Sequence, residues 1–160
     1  MLLAADLGGT KTLFGLFAQA PERPTPIEVG EFTTLEYDSV VPMIREFLKA
    51  NGVEARQIDA VTLGVAGAVT DQVARLTNVP WVVDAAAIEQ AAALRRVHIL
   101  NDLEAMAHSV AVLQPHEVKV LQHGISQPDG NAAVIAAGTG LGEALLLNVD
   151  GRFLPGASEG

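Results

Sequence analysis

A pattern that occurs twice constrains this chain more than any other feature. Near the start, the apolar run Leu2–Ala5 leads into Asp6-Leu7-Gly8-Gly9-Thr10, and a second apolar run follows at Thr12–Phe17. Near the end, Ala132–Ala137 leads into Gly138-Thr139-Gly140-Leu141-Gly142, and Ala144–Val149 follows. In each copy a short apolar strand hands over to another through a glycine turn. A third, more exposed strand is expected at Ile27–Thr34, where Ile27 and Val29 alternate with Glu28 and Gly30, and a counterpart at Arg152-Phe153-Leu154. Recurrence of a whole strand–turn–strand unit predicts an internal duplication. The first copy is a domain over residues 1–122, and residues 131–160 are the incomplete start of a second, larger one.

Between the hairpins the pattern alternates. Pro21, Pro24 and Pro26 make a loop, since each lacks a backbone donor. Val40, Ile44, Phe47 and Leu48 recur at helical spacing, with Asp38 or Ser39 as the cap and Asn51-Gly52 as the stop. Ala60–Ala66 and Val97–Leu100 read as buried strands, and the segment between Gly67 and Trp81 as turns. Trp81 is expected to anchor its loop on the domain. Asp84 caps an alanine-rich helix running to about Arg95. Asn101-Asp102 opens another, with Leu103, Met106, Ala107, Val110 and Leu113 as its core face. Val118–Leu121 reads as a short strand, and residues 127–131 as a linker. This order predicts an α/β fold with a mixed five-stranded sheet and helices on both faces. Its first three strands are antiparallel; those at 60–66 and 97–100 run parallel to the first.

Composition excludes several classes. Nineteen Asp and Glu against 10 Lys and Arg give a net charge of −9, which argues against general nucleic-acid or anionic-membrane binding. No apolar run approaches the roughly 20 residues of a membrane span. The N-terminal apolar stretch is too short for a secretory signal, with Asp6 following at once. With no cysteine, disulfides and thiolate metal sites are out, which fits a reducing cytoplasm. His98, His108, His116 and His123 show no metal-ligand spacing.

Three motifs carry candidate chemistry. Gly8, Gly9 and Thr10 can present converging backbone N–H groups to a phosphate, with the Thr10 hydroxyl as a further donor. Asp6, at the end of a strand, can hold Mg²⁺ through water. Taken alone, an ordinary hairpin turn with a solvated Asp is the better reading of the motif. Because it joins two strands, it is neither a Walker loop nor a dinucleotide fingerprint. Gly138, Thr139 and Gly140 invite the same pair of readings, and two such turns facing each other would hold one polyphosphate from both sides. Asn101 and Asp102 lie where a strand ends and a helix begins, the usual ligand end of an α/β sheet. A plain helix cap is the competing reading there.

Taken together and in order, the motifs resemble the bacterial glucokinase family, within the actin-like sugar kinase and Hsp70 superfamily. The carrying residues are Ala5-Asp6-Leu7-Gly8-Gly9-Thr10-Lys11-Thr12, Gly64-Val65-Ala66-Gly67-Ala68-Val69, Thr77-Asn78-Val79-Pro80-Trp81, Leu100-Asn101-Asp102-Leu103-Glu104-Ala105, Ala137-Gly138-Thr139-Gly140-Leu141-Gly142 and Pro155-Gly156-Ala157-Ser158-Glu159-Gly160. The resemblance implies a ribonuclease-H-like (actin-like ATPase) domain and ATP-dependent phosphorylation of glucose at its 6-hydroxyl. It implies Asp102 as catalytic base, and Asn101, Glu159, Gly140 and Asn78 at the sugar. Asp6, Gly8, Gly9, Thr10, Lys11, Gly138, Thr139 and Gly140 then serve ATP and its Mg²⁺. Family members continue beyond Gly160, so the resemblance is to their N-terminal portion, and these residues alone are expected to be inactive. A kinase for another hexose or an N-acylhexosamine, and a non-catalytic sugar- or nucleotide-binding module, remain open alternatives. Unpaired strand edges and the apolar residues Val134, Ile135, Leu145, Leu146 and Leu147 in residues 131–160 predict either a homo-oligomer formed by strand pairing or a poorly ordered segment.

Overall fold

A computed structural model describes residues 1–76, 79–125, 127, 129–137 and 141–156. The chain divides into two units, Met1–Asp102 and Leu103–Gly160.

The first unit is built on five strands: β1 (Leu2–Leu7), β2 (Lys11–Ala18), β3 (Thr25–Thr33), β4 (Ala60–Val65) and a strand at Val97–Asn101 that becomes β8 in chain order. They lie in the order β3-β2-β1-β4-β8. The three leading strands are antiparallel, and β4 and β8 run parallel to β1, as the sequence led us to expect. Apolar alternation sets which face is buried. Leu3, Ala5 and Leu7 of β1 point into the core with Phe14 and Leu16 of β2 and Val61, Leu63 and Val65 of β4.

Helix α1 (Val40–Ala50) covers this face with Val40, Met43, Ile44, Phe47 and Leu48, a single helical stripe. Phe47 stacks on Phe14 at 5.5 Å between ring centres and meets Phe32 edge-on at 6.2 Å. Ser39 occupies the N-cap position, but its side chain makes no capping bond. At the other end the Asn51 amide donates to the Phe47 carbonyl at 2.8 Å, and Gly52 takes the left-handed φ of +64° that ends the helix. Helix α2 (Ala85–Ala92) is capped by Asp84, whose carboxylate accepts from the Ala87 N–H at 3.1 Å. It stops before Arg95, because Ala93 turns left-handed at φ 54°. The Arg45 guanidinium donates to the Ala91 carbonyl, so α1 and α2 lie side by side on one face of the sheet. The opposite face carries the exposed side chains of Leu13 and Val29.

The segment read as turns between Gly67 and Trp81 instead contains strands β5 (Val69–Thr70) and β6 (Val73–Arg75), which join β7 (Val82–Asp84) in a small antiparallel sheet. Asp71 and Gln72 make the β5–β6 turn with φ of 50° and 62°. The Gln72 side chain then ties the turn to the large sheet, accepting from the Ile99 N–H at 2.8 Å. Trp81 is buried in the same core, as expected of a loop anchor.

The second unit contains β9 (Ala132–Ala137), β10 (Leu141–Val149) and β11 (Arg152–Pro155), an antiparallel sheet in the order β11-β10-β9. It repeats the β3-β2-β1 arrangement, which is the duplication read from the sequence. Helix α3 (Asp102–Ser109) continues as one 3-10 turn over Val110–Val112. Its Leu103, Ala107 and Val110 pack with Ala132, Val134, Ala144, Leu146 and Phe153. The division between units falls at the start of α3. Met106 and Leu113, expected in the core, are 46% and 41% exposed: Met106 lies beside the stripe of Leu103, Ala107 and Val110 that packs, and Leu113 follows the 3-10 turn that breaks the 3.6-residue register. Val118–Leu121 forms no strand; its Val118, Val120 and Leu121 are exposed, and among the described residues no strand pairs with it. No helix among the described residues is long and apolar enough to cross a membrane.

Candidate active site

Two neighbouring rows of residues run across the whole large sheet and end at one rim. The inner row is Phe32, Thr12, Leu7, Val65 and Asn101; the row behind it is Glu31, Leu13, Asp6, Gly64 and Leu100. Side chains alternate between faces along a strand, so the first row faces the core and the second the opposite side. β1, β4 and β8 are parallel, so their C-terminal ends meet at the same rim. The Gly8–Lys11 turn and the Asn101-Asp102 pair both stand there.

The turn is tight for a reason that requires glycine. The Gly8 N–H donates to the Lys11 carbonyl at 3.0 Å. A Cβ on Gly8 would lie 2.5 Å from that same oxygen. Among the described residues, the N–H groups of Gly9 and Thr10 have no acceptor. Lys11 opens β2, and its ammonium pairs with Glu31 at 2.6 Å, both side chains being more than half exposed.

Asp6 and Asp102 are close enough to repel. The Asp6 carboxyl titrates above the usual carboxylate range, first because it is partly withdrawn from water and second because Asp102 sets a negative charge near it. Oxygen donors of this kind at one rim fit a hard divalent cation bound through water, the chemistry expected of Mg²⁺ carried on a polyphosphate. Among the described residues, no three His, Cys, Asp or Glu side chains gather closely enough to cage a metal.

Asn101 is buried at 6% exposure, and its amide donates to the Gly67 carbonyl at 3.1 Å. This ties the end of β8 to the loop after β4. Gly67 has φ 157°, and a Cβ there would lie 3.0 Å from the Arg75 carbonyl, so the loop passes too close to β6 for a side chain. Asp102, the first residue of α3, is partly buried.

Of the residues predicted from the sequence, Asp6, Gly8, Gly9, Thr10, Lys11, Asn101 and Asp102 come together at this rim. Asn78, Gly138, Thr139, Gly140 and Glu159 lie outside the described residues. Sequence reasoning missed Thr34, which is fully buried and donates its hydroxyl to the Gly8 carbonyl at 2.8 Å. No motif signals it, since the bond joins positions 26 residues apart.

A family model described as Glucokinase matches residues 3–160. The glucokinase of Nostoc punctiforme is 30% identical over 162 aligned residues, covering 100% of this chain and 47% of the relative. That of Yersinia pestis is 34% identical over 160 aligned residues, covering 99% of this chain and 47% of the relative. A crystal structure of a glucokinase from an Antarctic psychrotroph superimposes with a TM-score of 0.85 at 26% identity, over 99% of this chain and 50% of that one. The chain thus spans about half the length of the curated relatives it matches. Its fold is the actin-like sugar kinase fold that the ordered motifs implied. The match runs through both glycine turns and the Asn101-Asp102 pair, and on that ground the chain belongs to the glucokinase family.

Proposed function

We propose that the protein carrying this chain transfers the γ-phosphoryl group of ATP to the 6-hydroxyl of glucose. The observation that supports this most is the placing of a glycine turn, with two N–H groups that have no acceptor among the described residues, beside the Asp6 and Asp102 carboxylates, in a chain of the glucokinase family. Phosphoryl transfer asks a protein mainly for positioning and charge stabilisation. In this reading Gly8, Gly9 and Thr10 donate to ATP phosphates, with Lys11 as a nearby cation and Gly138, Thr139 and Gly140 as a second phosphate turn. Asp6 would hold Mg²⁺ through water, and the ion would supply neutralisation of phosphate charge. Asp102 accepts the proton of the 6-hydroxyl as the hydroxyl oxygen bonds the γ-phosphorus and the bond from that phosphorus to the β–γ bridging oxygen breaks, releasing ADP. Asn101 and Glu159 bind sugar hydroxyls, for which amide and carboxylate groups offer directed donors and acceptors. Gly140 and Asn78 border the sugar.

The protein works in the cytoplasm. Copies associate through strand pairing of residues 131–160; on the β9–β11 sheet there, Ile135, Leu145 and Leu147 are 66%, 63% and 47% exposed. Residues 1–122 act as the nucleotide-binding ribonuclease-H-like domain and 131–160 as the opening of the second.

The test is Asp102→Asn in the gene product that contains these residues. The amide keeps a hydrogen-bonding partner for the hydroxyl but accepts no proton. Turnover should fall by about 100-fold or more while glucose affinity stays within a few-fold. Near-normal turnover would remove Asp102 from the role of base.

A further inference from the structure

The Gly8–Lys11 turn is not held by its own hydrogen bond alone. Thr34, the residue after β3, meets it at two points. The Thr34 N–H donates to the Thr10 carbonyl at 2.9 Å. The Thr34 hydroxyl lies 2.8 Å from the Gly8 carbonyl and 2.9 Å from the Thr12 hydroxyl. Thr12 and Thr34 are both fully buried.

Proton counting fixes the direction of this relay. A carbonyl carries no proton, so the single Thr34 hydroxyl proton goes to Gly8. The Thr12–Thr34 contact must then use the Thr12 proton. The chain runs Thr12 hydroxyl to Thr34 hydroxyl to Gly8 carbonyl, and every donor in it is spent. Thr34 therefore engages the carbonyls on both sides of Gly9, while the N–H groups of Gly9 and Thr10 remain without acceptors among the described residues. A buried hydroxyl committed in this way holds its partner firmly, because leaving the Gly8 carbonyl unpaired there would cost its desolvation.

We propose that Thr34 is the positioning residue of the phosphate turn: its buried hydroxyl fixes the Gly8 carbonyl inward, which aims the Gly9 N–H of the same peptide outward, and with its own N–H on the Thr10 carbonyl it pins the peptides on both sides of the one that carries the Thr10 N–H. This rests on reading Gly8–Thr10 as a phosphate loop. Thr34 touches no substrate itself. It acts by removing the alternative orientations of the Gly8–Gly9 peptide, which lowers the ordering cost of binding.

The test uses the 160-residue chain labelled with nitrogen-15, compared as wild type, Thr34→Val and Thr34→Ser. Valine keeps the branched shape and the backbone N–H but has no hydroxyl; serine restores it. Without ligand, Gly8 amide exchange should quicken about 10-fold in Thr34→Val, the effect of losing one ordinary hydrogen bond, and stay within about 2-fold in Thr34→Ser. On titration with inorganic tripolyphosphate, the Gly9 and Thr10 amide signals should shift. The Kd should rise roughly 10-fold in Thr34→Val and be rescued in Thr34→Ser. Trp81 fluorescence checks that each variant is folded. If Thr34→Val does not fold, Thr34→Cys replaces it, keeping the size with only a weak S–H donor. Unchanged Gly8 exchange and unchanged Kd in the hydroxyl-free variant overturn the inference, as does failure of serine to rescue. If wild type shows no shift with tripolyphosphate, the phosphate-loop reading fails, and Gly8 exchange alone decides whether Thr34 holds the turn.

Discussion

Replacing Gly8 by alanine should break the turn at the heart of the site. The added methyl would sit 2.5 Å from the Lys11 carbonyl oxygen, which is backbone and cannot swing aside. Ordinary contact needs roughly 1 Å more. Two bonds resist that movement: Gly8 N–H to the Lys11 carbonyl at 3.0 Å, and the Thr34 hydroxyl to the Gly8 carbonyl at 2.8 Å. Forcing a methyl into a packed site costs about 1–3 kcal/mol. Losing one of the two bonds adds about 1 kcal/mol. The sum is about 2–4 kcal/mol. Urea unfolding followed by tryptophan fluorescence measures it cleanly, because Trp81 is the chain's single tryptophan and lies in the core of Met1–Asp102. Gly52→Ala is the control. Nothing lies within 4 Å of a Cβ there, so only its φ of +64° is penalised, at roughly 1–2 kcal/mol. A Gly8→Ala chain no less stable than Gly52→Ala would refute the steric reasoning.

Asp6→Asn should raise the melting temperature at pH 7. The folded-state pKa of Asp6 lies above its unfolded value of 3.8, so ionisation costs the fold stability. That cost is complete above the raised pKa and absent below about 3.8, so the gain should vanish in acid; an equal gain at every pH would be the wrong result. Phe47→Ala, at a side chain 3% exposed between Phe14 and Phe32, should cost about 3–5 kcal/mol in the same urea assay. A double variant, Ile135→Lys with Leu145→Lys, should shift sedimentation toward monomer, since lysines on an exposed sheet oppose strand addition. Unchanged sedimentation would exclude this sheet as the contact.

The large sheet was legible because its strands are long, apolar and separated by glycine, proline or helix. The glycine turn and the Asn101-Asp102 pair were legible for a related reason. In a mixed sheet, the end of the first strand and the ends of the strands parallel to it must share one rim. What escaped was set by contacts distant in sequence. The β5–β6 hairpin turns on Asp71 and Gln72, residues that carry no glycine signal for left-handed backbone. Its hold on β8 comes from one Gln72 side chain. The amphipathic face of α3 was visible in part, but not which sheet would receive it. Val118–Leu121 alternates like a strand yet has no strand to pair with among the described residues, and alternation without a partner leaves N–H and C=O groups to water. Thr34 and the Asn101–Gly67 bond, joining positions 26 and 34 residues apart, follow only from the fold.

The central claim is that this rim positions ATP for transfer to a hexose 6-hydroxyl. It is tested most directly by incubating the gene product containing these residues with an equimolar mixture of glucose and an N-acylhexosamine and with ATP labelled with oxygen-18 at the γ-phosphate. Phosphorus NMR and mass spectrometry then identify where the label goes. Labelled glucose 6-phosphate that forms with the wild type, and falls about 100-fold or more with Asp102→Asn, is the predicted result. Label released only as inorganic phosphate, or transferred to an N-acylhexosamine in preference to glucose, would contradict it.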